Sequence, residues 1–160
     1  MEILYATLAS WDMNTRGAKM KCFPEFKRSL RMALPELIKI KKCLPSFRRG
    51  NYKPLLNALG DAYNKLKLMD SSKRLISNSK CLHFIFPEVC MPMDGKNTLF
   101  KLYRNNHESC KRYLDITEFV FDVMKRLRNP SNYLDKGWNT CLTKVVDNAL
   151  ILKGTRNYRA

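Results

Sequence analysis

The stretch 108–128, ESCKRYLDITEFVFDVMKRLR, decides the fold class. At about 100° per residue, Tyr113, Leu114, Ile116, Thr117, Val120, Phe121, Val123, Met124 and Leu127 fall on one apolar stripe. Lys111, Asp115, Glu118, Asp122 and Arg126 fall opposite. A strand would alternate in steps of two, so this pattern specifies an amphipathic helix, which Asn129-Pro130 stops. Phe119 is the exception, an aromatic on the polar side.

Upstream, Pro54 opens a second such helix running to about Met69. Leu55, Ala58, Leu59, Ala62, Leu66 and Met69 make its stripe, and Asn57, Asp61 and Asn64 lie opposite. Downstream, Trp138, Cys141, Leu142, Val145, Val146, Ala149 and Leu152 predict a final helix over 138–152, with Gly154 as its left-handed cap. Pro24 and Pro35 each stand where a helix begins, which predicts two short helices, 24–33 and 35–44, meeting at a bend. The run LIKIKKCL has a rival strand reading, because Ile38 and Ile40 alternate with Lys39 and Lys41. Residues 44–54, LPSFRRGNYKP, read as a connector and 87–97 as a loop. Segment 97–104 reads as a helix with Asn97 as its cap. Two short apolar segments, 2–11 and 81–86, leave room for a minor β element. The expectation is a mainly α, single-domain bundle of five to seven helices over residues 1–154, with a basic frayed tail at 155–160.

Composition narrows the class. The chain has 160 residues, 45% apolar and 28% charged, enough for one buried core and far from the disordered corner. No stretch reaches the roughly 20 apolar residues of a membrane span. The start, MEILYATLASWDMN, lacks a basic leader region and is interrupted by Asp12, a poor signal peptide. Six scattered cysteines then read as reduced thiols, placing the chain in cytoplasm or nucleus.

Charge points to a partner. Residues 16–53 hold twelve Lys/Arg against Glu25 and Glu36, an excess of ten out of a net +16. Cations within a Debye length of about 8–10 Å reinforce one another, so the stretch makes a field that seeks an anion. The expected contacts are Arg28, Arg31, Lys39, Lys41, Lys42, Arg48, Arg49, Tyr52 and Lys53, the cations neutralising phosphate and Tyr52 offering a ring. Phe23 and Phe26 read as core. The functional expectation is a nucleic-acid-binding protein, RNA favoured over DNA, gripping backbone with little sequence specificity. Its composition also suits a small viral accessory or structural protein. The alternatives are a matrix-type protein meeting anionic lipid, and an interaction protein docking an acidic partner. Phe119 and Ile151, both off their helix faces, are candidates for self-association into a homo-oligomer.

Catalytic signatures are thin. Phosphate-loop, dinucleotide, zincin, nucleophile-elbow and zinc-deaminase patterns are missing, so no enzyme and no cofactor is expected. Asp94-Gly95-Lys96, with Glu88 and Asp70, faintly echoes a metal-dependent nuclease, but Asp94-Gly95 also reads as a turn. Cys81, His83, Cys90, His107 and Cys110 are chemically suited to zinc, though their spacing matches no zinc motif.

Overall fold

A computed structural model describes residues 1–13 and 19–155, without the side chains of residues 12 and 153–155. Arg16 and residues 156–160 of the basic tail lie outside the described residues. Among those described, the chain forms seven α-helices and no strand: α1 Glu2–Leu8, α2 Phe23–Arg48, α3 Lys53–Lys65, α4 Leu75–Ile85, α5 Lys101–Tyr103, α6 Cys110–Arg126 and α7 Leu142–Thr155. Two π-helical segments, Ala9–Met13 and Gly95–Phe100, and a 3₁₀ turn, Pro130–Tyr133, join them. The mainly helical bundle read from the sequence is the observed fold.

The centre is α3, packed between α2 and α6. Phe26, Leu30, Ala33, Leu37 and Ile40 of α2 meet Leu55, Ala58, Leu59 and Ala62 of α3, all buried. From the other side α6 brings Tyr113, Ile116, Val120 and Phe121. Tyr63 and Tyr113 stack with centroids 5.2 Å apart. Each buried Leu, Ile, Val or Phe among these contributes about 1.5–3 kcal/mol by leaving water, and each Ala less. Gly60 permits the α3–α6 approach, since a Cβ there would meet Leu114 Cδ1 at 3.3 Å. The buried Asn78 of α4 closes the end of α3, its Nδ2 donating to the carbonyls of Tyr63 (3.0 Å) and Leu66 (3.2 Å). Ser109 caps α6, its hydroxyl accepting from the Arg112 amide at 3.2 Å.

Four expectations need correction. The two helices at 24–33 and 35–44 are one helix, α2, which also takes in the first five residues of the expected connector and keeps Pro35 and Pro45 inside it. Each proline removes a hydrogen bond to the carbonyl four residues earlier, those of Arg31 and Lys41. All four residues are exposed, so water can meet the freed carbonyls and the helix continues. The strand reading of 37–44 fails because the segment lies inside α2, with Ile40 buried and Ile38 half exposed in helical register. Instead α2 stops at Gly50, whose φ of 88° belongs to the left-handed region glycine favours; its amide donates to Phe47 O at 2.8 Å. Replacing Pro35 with Ala should therefore stabilise the protein by about 1–2 kcal/mol, the restored bond outweighing the extra freedom gained by the unfolded chain. Urea titration should show a higher midpoint at unchanged slope.

The second correction concerns the two segments with β character. Residues 2–8 are helical and 81–85 complete α4; the only pairing of strand type among the described residues is a single bridge between Met20 and Met69. Third, Asp94 and not Asn97 caps the helical segment that follows, accepting from the Asn97 amide. Fourth, the last helix begins at Leu142 rather than 138 and runs through Gly154 to Thr155. Trp138 is consequently 79% exposed instead of core, Leu152 is largely exposed, and Val146 is buried as the stripe requires.

Candidate functional site

The basic residues sort by their place on α2. Successive residues turn by about 100°, which puts Arg28, Arg31, Lys39 and Lys42 in one row opposite the buried stripe, over about 21 Å of helix. All four are exposed. Glu36, the only acid in the interior of α2, is half-buried on the flank of this row. Lys39 reaches Asp61 of α3 at 3.8 Å, with both side chains more than half exposed, a pairing worth little in water. Among the described residues, the side chains of Arg28, Arg31, Lys41, Lys42, Arg49 and Lys53 make no hydrogen bond or ion pair. Lys41 stands on the exposed flank of the helix. Lys39 and Lys42 also border a shallow groove of about 260 Å³ between α2 and α3, with Asn57 and Asp61 on its other wall.

Three exposed apolar side chains share this outward surface: Met32, Leu34 and Ile38. Phe26 is core as expected, whereas Phe23 is only half-buried at its edge, and each is edge-on to Tyr5 with centroids 5.1 Å and 5.3 Å away.

At the end of α2 the expected loop contacts differ among themselves. Arg48 is held by Glu88, its Nη2 donating to both carboxylate oxygens at 3.1 Å and 2.8 Å. Arg49 and Lys53 are exposed. Tyr52 is half-buried, its ring 5.8 Å from that of Phe121 and 3.9 Å from the Lys125 ammonium. Phe47 packs on Phe121 at 4.8 Å. Lys125 thus adds a cation to the loop from α6. Sequence reading missed it, as it missed Glu88, since neither lies near the loop in sequence.

The five Cys and His residues suited to zinc are not assembled. Among the described residues no three His, Cys, Asp or Glu side chains are placed to hold a metal ion. Burial pushes the Cys81 and Cys90 thiols up to about 12, so both stay protonated; His107 is exposed and Cys110 half-buried. His83 Nδ1 lies 2.7 Å from the Cys90 carbonyl, to which an Nδ1–H donates. The carboxylates of the faint nuclease echo are occupied as well, Asp94 by Asn97 and Glu88 by Arg48.

Burial lowers the His83 pKa below its ordinary 6.5, and the charge of Lys144 assists, against the opposing pull of the Cys90 carbonyl and Asp147. The folded protein therefore binds this proton less readily than the unfolded chain. Stability should fall as pH drops below about 6.5. Asp147, whose carboxyl burial raises above the ordinary 3.8, works in the opposite sense: its contribution is present at low pH and lost as pH rises through its folded value. Comparing His83→Gln with wild type isolates the histidine. Urea unfolding at pH 7.5, 6.5 and 5.5 should show a smaller decline in the variant.

A larger cavity of about 890 Å³ lies between the segment after α1, α4, residues 92–97 and α7. Trp11, Lys80, Asp94, Lys144 and Asp147 line it, and Lys144 is paired with Asp147 at 2.5 Å. Ile151 is half-buried in its wall, whereas Phe119 is exposed on α6.

Comparison with protein-family models, curated proteins and solved structures returned no match.

Proposed function

We propose that the protein binds nucleic acid, RNA in preference to DNA, through the outward face of α2 and the loop that ends it. The observation behind this reading is the row Arg28, Arg31, Lys39 and Lys42 on one exposed helix face, its cations almost unopposed by acids. A rigid helix presenting fixed cations neutralises successive phosphates and releases their counterions, with no requirement for base sequence. Arg49, Lys53 and Lys125 extend the field past the end of the helix. Arg48 contributes less, because Glu88 already occupies its guanidinium.

A second reading has one observation in its favour. Met32, Leu34 and Ile38 are not needed for phosphate contact, yet apolar side chains beside lysines suit the boundary of an anionic bilayer. The two separate in one preparation. Protein purified at low salt should carry material absorbing at 260 nm that is shed in high salt. Vesicles containing acidic lipid should sediment little of it once nucleic acid has been removed. Clean protein that sediments with acidic vesicles and ignores RNA would establish the membrane reading instead.

A further inference from the structure

Trp138 is 79% exposed, although indole is among the most favourable groups to bury. Its loop is built to hold it there. Asp135 Oδ1 accepts from the amides of Gly137 (2.7 Å) and Asn139 (3.0 Å), and the Asp135 amide donates to Asn139 O at 3.1 Å. Asn148 of α7 clamps the loop from below, its Nδ2 donating to the Trp138 carbonyl at 3.0 Å and to Asn139 Oδ1 at 2.9 Å. These bonds involve the backbone of Trp138 and none involves its ring.

The position of the loop matters as much. Thr143, one residue into α7, donates its hydroxyl to Pro87 O at 2.5 Å, and the next residue, Glu88, holds Arg48 at the end of α2. On the neighbouring side, Lys125 of α6 covers Tyr52, and the chain then runs through the exposed Arg126 and Arg128 towards Trp138. Two bonds thereby link the start of α7, just after the Trp138 loop, to the end of α2 through residues 87 and 88. Lys136 adds a further exposed cation, while Asp135, the nearest acid in sequence, is spent on the loop.

We propose that Trp138 is a stacking platform for an unpaired base, so that the nucleic acid bound by this protein is single-stranded. An exposed flat ring on a braced loop, with the exposed cations Arg126, Arg128 and Lys136 close by in the chain, is the combination by which proteins hold single strands without reading sequence. A duplex keeps its bases paired and offers the ring nothing. This inference rests on the reading of α2 as a phosphate-binding face, and the test separates the two.

Binding of a 12-nucleotide RNA and of a 12-base-pair RNA duplex is measured for wild type, Trp138→Ala and Trp138→Phe. Single-strand affinity should fall about tenfold in Trp138→Ala and largely recover in Trp138→Phe, while duplex affinity stays within twofold throughout. The single strand should quench tryptophan emission in wild type, and that quenching should be missing from both variants, which retain only Trp11. Equal single-strand affinity in wild type and Trp138→Ala would overturn the stacking platform and leave the α2 reading standing. Equal losses for single strand and duplex would overturn it too, since the ring would then act on both alike. Wild type that binds neither RNA would overturn both readings, and a blue shift of Trp138 on acidic vesicles alone would assign the loop to a membrane.

Discussion

Neutralising the outward row of α2, as Arg28→Gln/Arg31→Gln/Lys39→Gln/Lys42→Gln, should weaken RNA binding roughly a hundredfold at low salt. Four phosphate contacts are lost, and with them the counterions those contacts release. The loss should be nearly the same for unrelated sequences, because backbone contacts carry no base information. Fluorescence anisotropy with two 12-nucleotide RNAs of different composition checks both points. Stability should change little, since the four side chains are exposed and only Lys39 has a partner, a weak one. A variant that folds as wild type but fails to bind therefore locates the loss at the surface. A parallel Arg48→Gln variant should cost much less, as Glu88 already engages that guanidinium.

The second large effect is on stability. Phe121 is fully buried on α6, beneath Phe47 and Tyr52, and Phe121→Ala should destabilise the protein by about 3–5 kcal/mol through lost burial and the cavity left behind. That is a large share of the roughly 5–15 kcal/mol that holds a domain folded. Phe119, two residues away on the same helix, is exposed, and Phe119→Ala should change stability by no more than about 0.5 kcal/mol. Urea unfolding of the two variants side by side measures the contrast. Phe121→Ala should also loosen the Arg49–Lys53 loop, whose inner wall is the pair Phe47 and Tyr52. Under conditions where the variant remains folded, its RNA affinity should fall several-fold.

That contrast shows what the sequence could disclose. Helix α6 was legible because Tyr113, Ile116, Val120 and Phe121 recur at helical spacing and Phe119 does not. Pro24 and Pro54 read correctly as helix starts, since a proline in the first turn gives up a bond the helix would not have made. Pro35 and Pro45 misled because the cost of an interior proline depends on whether the freed carbonyl can reach water, and that depends on which face packs. The basic row was legible as charge and became a row only once α2 proved continuous from Phe23 to Arg48. With a break at Pro35, Lys39 and Lys42 would have pointed elsewhere.

Other features depended on partners far along the chain. Glu88 meets Arg48 across 40 positions, and Lys125 reaches Tyr52 from a different helix. Trp138 was assigned to the core because it continues the apolar spacing of α7. What overrides the spacing is the Asp135 side chain, which bonds the Gly137 and Asn139 amides and turns the backbone away from helix. An Asp followed two residues later by Gly was the available signal, and the apolar stripe outweighed it. The cysteines and histidines were suggestive by chemistry alone; burial among apolar neighbours accounts for Cys81 and Cys90 without a metal.

The central claim is that the outward face of α2 holds a nucleic-acid backbone by charge. Its most direct test is the salt dependence of binding, measured on wild-type protein with a 12-nucleotide RNA from about 50 to 300 mM monovalent salt. At roughly 0.7 per neutralised phosphate in a single strand, four to six contacts predict that log K falls against log[salt] with a slope of about −3 to −4. A slope near zero, with binding retained across the range, would contradict the account.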